Sequence, residues 1–247
     1  MKTRIDKLLV ERGLAPSRER AQAMILAGKV LVNQQKVEKS GALVEGSVSI
    51  RLLGEDLRYV SRGGLKLERA LQHWSLNVSG RVCMDIGAST GGFTDCLLQH
   101  GAARVIAVDT GYGQIDLRLR NDPRVRLLEK TNARYLRRED VGEAVEFVAV
   151  DVSFISATLL LPAVMQAAGE KLESIVVLVK PQFEAGRGRV GKGGIVRDPA
   201  AHQAAVEKVR TALSELGWGN PDVIDSPILG AEGNREFLLY ARRGGSE

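Results

Sequence analysis

Cys83-Met84-Asp85-Ile86-Gly87-Ala88-Ser89-Thr90-Gly91-Gly92-Phe93 is the stretch that decides the fold. It carries the end of an apolar run that begins at Arg81, passes through a glycine-rich turn, and enters a helix expected to begin near Phe93. Working outward, strand-like runs recur at 104–108, 125–128, 147–152 and 175–179, with helix-length segments between most of them. Apolar runs alternating with helical stretches predict an α/β fold with a doubly wound, mostly parallel sheet. The runs around Val223 to Asp225 and Phe237 to Ala241 have no helix-length segment between them, so they are expected to close the sheet as antiparallel strands.

In such a sheet, ligands bind outside the carboxyl ends of the strands, where glycines let the backbone approach them. The spacing here is not G-x-G-x-x-G, and Asp85 stands two residues before the first glycine. A carboxylate there would repel a pyrophosphate and attract the ammonium of a methionine moiety, which favours S-adenosylmethionine over a nicotinamide dinucleotide. Asp109, at the end of the next strand, is placed to accept hydrogen bonds from both ribose hydroxyls of an adenosine. The expected cofactor contacts are Asp85, Gly87, Ser89, Gly91 and Asp109, with Asn132 reading the adenine edge.

Three further charges sit at the ends of apolar strands: Asp151 after Val148-Ala149-Val150, Lys180 after Leu178-Val179, and Glu236 before Phe237. Burying any of them without a partner would be costly. Upstream, Leu67, Ala70, Leu71 and Trp74 form a helical stripe expected to be buried, while Arg62, Lys66 and Arg69 share another face, so Lys66 is expected to point away from the core. Gathered on the ligand-binding edge, Lys66, Asp151, Lys180 and Glu236 read as one constellation. Lys180 is the expected base, with a purely steering and polarising role as the alternative. A lysine starts near pKa ~10.4; burial and the neighbouring cation would lower that value, and the two carboxylates would oppose the shift and orient the ammonium. The loop from Gly186 to Gly194 follows directly and holds Arg187, Arg189 and Lys192 among five glycines, a composition suited to clamping RNA.

The first 56 residues read differently. Ile5, Leu8 and Leu9 mark a short amphipathic helix ending before Gly13; Ser17 is placed to cap a second helix carrying Ala21, Met24 and Ile25. Strand signals follow at Val30 and Val32 and at Val48, Ile50 and Leu52, with Gln34-Gln35 as the expected turn. Arg4, Lys7, Arg18 and Arg20 lie off the apolar faces and are expected to be exposed together, a footprint for phosphate backbone. Gly54-Glu55-Asp56 reads as a turn, giving an expected division into a small α+β domain at 1–56, a connector at 57–61 and a larger domain at 62–247.

Charge supports this division. The chain has 247 residues, 44% hydrophobic and 26% charged, with 35 Lys and Arg against 30 Asp and Glu. Residues 1 to 60 hold eleven of those bases and seven of the acids, so most of the formal +5 lies at one end. The composition is that of an ordinary globular protein, and two cysteines, Cys83 and Cys96, imply a reducing compartment rather than a disulfide framework or a metal site. The N-terminus lacks a secretory apolar region and no stretch is long enough to span a bilayer. A soluble, cytoplasmic protein without a membrane partner is expected, with no metal.

The stretch Arg-Ile-Asp-Lys-Leu-Leu-Val-Glu-Arg-Gly, then Ser-Arg-x-x-Ala, then Ala-Gly-Lys-Val-x-Val-Asn, over residues 2 to 53, resembles the RNA-binding module named after ribosomal small-subunit protein S-four. It departs from that family at Gln34-Gln35, where a hairpin glycine is usual. Lys66, Asp151, Lys180 and Glu236 match the Lys-Asp-Lys-Glu tetrad of FtsJ-like ribose 2′-O-methyltransferases. Ser61-Arg62-Gly63, Gly-Ala-Ser-Thr-Gly-Gly-Phe-Thr, Gly-Tyr-Gly-Gln, Asn-Asp-Pro-Arg-Val, Asp-Val-Ser-Phe-Ile-Ser and Val-Lys-Pro-Gln-Phe-Glu together resemble the TlyA-type rRNA cytidine 2′-O-methyltransferases, historically labelled hemolysin A. The resemblance runs nearly end to end. It implies a Rossmann-like class I methyltransferase fold, S-adenosylmethionine as cofactor, and ribosomal RNA or a ribosomal subunit as partner. It also implies transfer to the 2′-hydroxyl of a cytidine. The short ends of the chain are similar to those of family members acting on large-subunit rRNA, with small-subunit rRNA as the alternative. A non-catalytic RNA-binding assembly factor would not need the tetrad, and a hemolysin would need amphipathic or spanning elements that the sequence does not offer.

Overall fold

The structure is a computed structural model that describes residues 2–15, 17–53, 58–186, 190–230 and 233–244. The chain divides into two compact units, Met1–Asp56 and Leu57–Glu247. Among the described residues no helix is long and apolar enough to cross a membrane.

In the smaller unit, β1 (Lys2–Arg4) runs straight into α1 (Ile5–Glu11), and Ser17 caps α2 (Arg18–Leu26) by accepting from the Arg20 amide at 3.2 Å. β2 (Val30–Val32), β3 (Gln35–Lys36), β4 (Leu43–Glu45) and β5 (Ile50–Leu52) follow. A three-stranded antiparallel sheet has the order β3-β2-β5, and β1 pairs separately with β4. Ile5, Leu9, Ala21, Met24, Ile25 and Val30 form the core. The turn is one residue earlier than expected. Val32 pairs with Gln35, so Asn33-Gln34 is the two-residue loop, and both residues have positive φ, 50° and 66°. A two-residue hairpin needs that handedness to match the twist of its strands. Asn33 suits it and is anchored, its side-chain oxygen accepting from the Ser49 amide at 3.1 Å; Gln34 occupies the position without the usual glycine. The β1–β4 pair, three residues on each side, carries too little pattern to be anticipated.

The larger unit begins with packed chain rather than a free connector. Tyr59 is buried, the Val60 amide donates to Asp95 at 2.8 Å, and the Gln99 side-chain amide donates to the Arg58 carbonyl at 3.0 Å. The segment expected as a connector, 57–61, is therefore part of this unit from Arg58 on, while the expected turn at Gly54 to Asp56 lies outside the described residues. Then come α3 (Gly63–His73), β6 (Val82–Ile86), α4 (Gly92–Gln99), β7 (Arg104–Val108), α5 (Leu117–Arg120), β8 (Val125–Leu128), α6 (Arg138–Val141), β9 (Phe147–Val150), α7 (Leu161–Ala168), β10 (Ser174–Val179), α8 (Pro181–Glu184), α9 (Pro199–Glu215), β11 (Trp218–Asp225) and β12 (Phe237–Arg243). The seven strands form one sheet in the order β11-β12-β10-β9-β6-β7-β8. β8, β7, β6, β9 and β10 are parallel, and β12 runs antiparallel to both its neighbours. β9 and β10 are apolar throughout apart from Ser174 because helices cover both sheet faces. One apolar core packs α7 and α9 on one face and the other packs α3 and α4 on the opposite face. The chain reverses its winding at β6, which lies between β7 and β9, and that reversal opens a crevice at the strands' carboxyl ends.

Candidate active site

The turn after β6 is shaped by its neighbours. Gly87 has φ +87°, donates to the Val108 carbonyl at 2.8 Å, and lies so close to β9's end that a Cβ there would sit 2.3 Å from the Asp151 carbonyl oxygen. Only glycine fits both the handedness and the approach. Gly91, at φ +96°, caps the N-terminus of α4, and a Cβ on it would meet Leu119 at 2.3 Å. Gly87 thus faces the crevice, whereas Gly91 serves helix packing and does not line the cavity.

A cavity of about 450 Å³ occupies the crevice, lined among others by Gly87, Ser89, Asp109, Asn132, Asp151, Ser153 and Phe154. Asp109 is the organiser of one wall. Its two carboxylate oxygens accept from the Ser89 amide at 2.8 Å and the Gly111 amide at 2.6 Å, which ties the turn to β7 and leaves lone pairs free. The Asn132 side-chain oxygen accepts from the Arg134 amide at 3.0 Å, which leaves its NH₂ group as a donor on a residue that lines the cavity.

Asp85 is placed differently from the sequence expectation. It is fully buried beneath the turn and does not line the cavity; one carboxylate oxygen accepts from the Thr94 amide and hydroxyl at 2.9 and 2.7 Å. Its other oxygen, Oδ1, is buried with no hydrogen-bond partner among the described residues. Burial pushes the carboxyl up to about 7 against the opposing Thr94 bonds, with Asp151 and Asp109 adding to the rise.

The four charges come together as two pairs. Lys180 Nζ lies 2.6 Å from Asp151 Oδ1 and donates to Ser153 Oγ at 2.9 Å; Lys66 Nζ lies 2.5 Å from Glu236 Oε2. All four side chains are at most 20% exposed, so these pairs fix positions that exposed pairs would not. Lys66 corrects the expectation that it points away from the core. It is buried, because α3 is covered on most sides and the side chain turns toward Glu236. Arg62, on the same helix face in the sequence reading, is exposed and donates to the Leu229 carbonyl at 3.2 Å.

Of the residues expected to meet RNA, Arg187 and Arg189 lie outside the described residues. In the smaller unit Arg4, Lys7 and Arg18 are exposed as expected, and each is also paired with an acid. Arg4 and Arg18 both pair with Asp6, at 2.8 and 3.2 Å, Gln22 donates to the same carboxylate at 2.9 Å, and Lys7 lies 3.6 Å from Glu11. Asp6 is fully buried, and hydrogen bonding from Arg4 holds its carboxyl well below the usual range despite burial. By sequence, a lone acid two residues from Arg4 belongs to a surface helix; the turn from β1 into α1 brings it under two guanidinium groups. Arg20 is half-buried.

Sequence reasoning does not find Ser153 and Phe154. Phe154 is 92% exposed, has φ +66°, and its ring lies 5.3 Å from that of Phe183. A bulky residue held in the left-handed region is uncommon, and such residues cluster at functional loops. Its sequence signals are the Asp-Val-Ser-Phe-Ile-Ser stretch, read above for resemblance and not for a role, and an aromatic residue in a loop of a chain with only five phenylalanines.

Comparison with known proteins defines the class. The FtsJ-like methyltransferase family matches residues 59–243 and the S4 domain matches residues 3–50. The chain is 46% identical to the 16S/23S rRNA (cytidine-2′-O)-methyltransferase TlyA of Mycobacterium tuberculosis, covering 98% of this chain and 90% of that protein. It is 42% identical to Hemolysin A of Brachyspira hyodysenteriae, over 96% and 98% of the two chains. A solved structure of a hemolysin-labelled protein from Streptococcus thermophilus superposes with a TM-score of 0.76 at 43% identity, covering 99% of this chain and 90% of that one. The chain belongs to the FtsJ-like methyltransferase family and carries an N-terminal S4 domain.

Proposed function

We propose that this protein is an S-adenosylmethionine-dependent ribosomal RNA methyltransferase acting on the 2′-hydroxyl of a cytidine, with the S4 unit capturing the RNA in the cytoplasm. The observation that carries the reading is Lys180, held by Asp151 and Ser153, two residues that line the same cavity as Asp109 and Asn132.

The residues fit the cofactor. A volume of about 450 Å³ is within the range of small-ligand sites, roughly 300–1,000 Å³. Asp109 offers acceptors for ribose hydroxyls, the Asn132 NH₂ a donor for a ring nitrogen, and Gly87 an open approach. The partnerless Asp85 oxygen lies at the carboxyl end of β6, where an ammonium would be welcome, and this retains the electrostatic half of the sequence expectation. Bound there, S-adenosylmethionine would supply a sulfonium methyl group. The chain's own part is to place the nucleophile. A ribose hydroxyl is weak, so alignment and removal of its proton dominate the barrier. Asp151 and Ser153 fix Lys180 Nζ, which in its neutral amine form takes the proton of the 2′-hydroxyl and becomes the ammonium that Asp151 stabilises. The Lys66–Glu236 pair holds a second cation on α3 without free rotation. The named TlyA relative at 46% identity supports rRNA and cytidine as the targets.

The test has two parts. Mapping 2′-O-methylation across both rRNAs in cells with and without the protein should show one or more cytidines lost; an unchanged map defeats the reading. Lys180→Ala should bind cofactor and transfer no methyl, and retained transfer would remove Lys180 from the role.

A further inference from the structure

Glu184, the last residue of α8, is 6% exposed and has no part in the site described above, yet it holds a dense set of hydrogen bonds. Its carboxylate accepts from Ser156 Oγ at 2.5 Å, from the Ala157 amide at 2.7 Å and from Lys208 Nζ at 3.0 Å. Lys208, on α9, also donates to the Glu184 carbonyl at 3.2 Å and to Ser156 Oγ at 3.0 Å. A buried carboxylate with an amide, a hydroxyl and an ammonium on it is among the stronger fixed points a loop can have.

Its position explains its use. The loop that Glu184 grips starts at Asp151 and carries Ser153 and Phe154; the helix that Glu184 ends starts one residue after Lys180. Asp151 and Ser153 are the two groups that hold the lysine. The left-handed backbone of Phe154 is strained and persists only where its surroundings impose it. The bonds from Ser156 and Ala157 to Glu184, two and three residues further along, impose it. We propose that Glu184 is a positioning residue for methyl transfer, clamping the loop after β9 onto α8 and so setting the Lys180–Asp151–Ser153 geometry. The proposal rests on the reading of Lys180 given above.

The experiment measures steady-state methyl transfer to rRNA by the full chain, cofactor affinity by calorimetry and thermal melting for each variant. Displacement of a reacting group by an ångström costs about 100-fold, so Glu184→Ala should lower kcat by roughly 10- to 100-fold. Its cofactor Kd and its KM for RNA should stay within about threefold. Glu184→Gln, whose amide oxygen can still accept from Ala157, should recover part of that loss. Ser156→Ala should lower kcat less, and adding it to Glu184→Ala should cost little more, since the two act as one unit. A folded Glu184→Ala enzyme with unchanged kcat, while Lys180→Ala is dead, overturns the clamp alone; active Lys180→Ala overturns the underlying reading instead. Should Glu184→Ala not fold, Ser156→Ala decides, and wild-type kcat there overturns the proposal. A fall in kcat that loss of cofactor affinity fully accounts for also overturns it.

Discussion

The two units use charge in opposite ways. In the S4 unit Asp6 meets Arg4 two residues away and Arg18 twelve away, Glu11 meets Lys7 four away, and the bases stay about half exposed. At the site of the methyltransferase unit two pairs join residues 29 and 170 positions apart, Asp151 with Lys180 and Lys66 with Glu236, and the partners are nearly buried. Exposed local pairs contribute little to stability and leave a field that long anionic ligands can use. Buried distant pairs lock atoms in place, as the alignment of a weak nucleophile requires. The buried carboxylates differ in the same sense. Asp6 has cations and is held ionised, whereas Asp85 has only Thr94 and is pushed toward its neutral form.

The comparison breaks most severely at Lys180. Removing a positioned proton acceptor typically costs about 10²- to 10⁴-fold, so Lys180→Ala should lose methyl transfer by that factor in a radiolabel assay while cofactor Kd changes little. Next is the response to pH. Asp85 binds its proton more tightly in the folded unit than in the unfolded chain. Its contribution is therefore full below pH 4 and drains away as pH rises through about 7. A shift of that size corresponds to roughly 4 kcal/mol at most. Asp85→Asn, which keeps an acceptor for Thr94, should flatten the stability of the methyltransferase unit between pH 4 and 8 in denaturant titrations. Asp6 has the opposite sign, since its stabilisation is present above the usual carboxylate range and is lost in strong acid. Acid should therefore melt the S4 unit while sparing Asp85's, a contrast that separate probes in the two units would resolve.

Gly87→Ala comes next. A Cβ there meets the Asp151 carbonyl in a left-handed turn, and cofactor affinity should fall roughly 10- to 100-fold, equivalent to about 1.4–2.7 kcal/mol. The smallest effect is expected at the exposed cations. Arg18→Ala should weaken RNA binding only a few-fold and reduce the slope of log affinity against log salt by about 0.7 to 0.9. An unchanged slope would mean that Asp6 already occupies that guanidinium and that the S4 unit binds RNA through other groups.

Much of the fold is legible in the amino-acid sequence. Apolar runs mark all seven strands of the larger sheet, because a strand covered on both faces admits few polar residues, and the lack of a helix between the last two runs shows that they pair antiparallel. Asp151, Lys180 and Glu236 are legible as charges out of place. Their partners are not. Helical periodicity puts Lys66 on a solvent face, since it describes one helix and knows nothing of the loop before β12 that brings Glu236 to it. Asp6 escapes sequence reasoning because burial of an acid depends on two arginines converging on it, and no local pattern records convergence.

The sequence by itself determined the order of elements, the division between a basic module and an α/β enzyme, and the residue types at the ends of the strands. Each of these follows from local hydrophobic period and turn chemistry. Tertiary structure decided which charge meets which. It turned Asp85 under its turn toward Thr94, held Phe154 in a left-handed loop, and made Glu184 a partner of Ser156 and Ala157. Pairing energies depend on distance and burial, and both are set only when segments far apart in the chain are packed against one another.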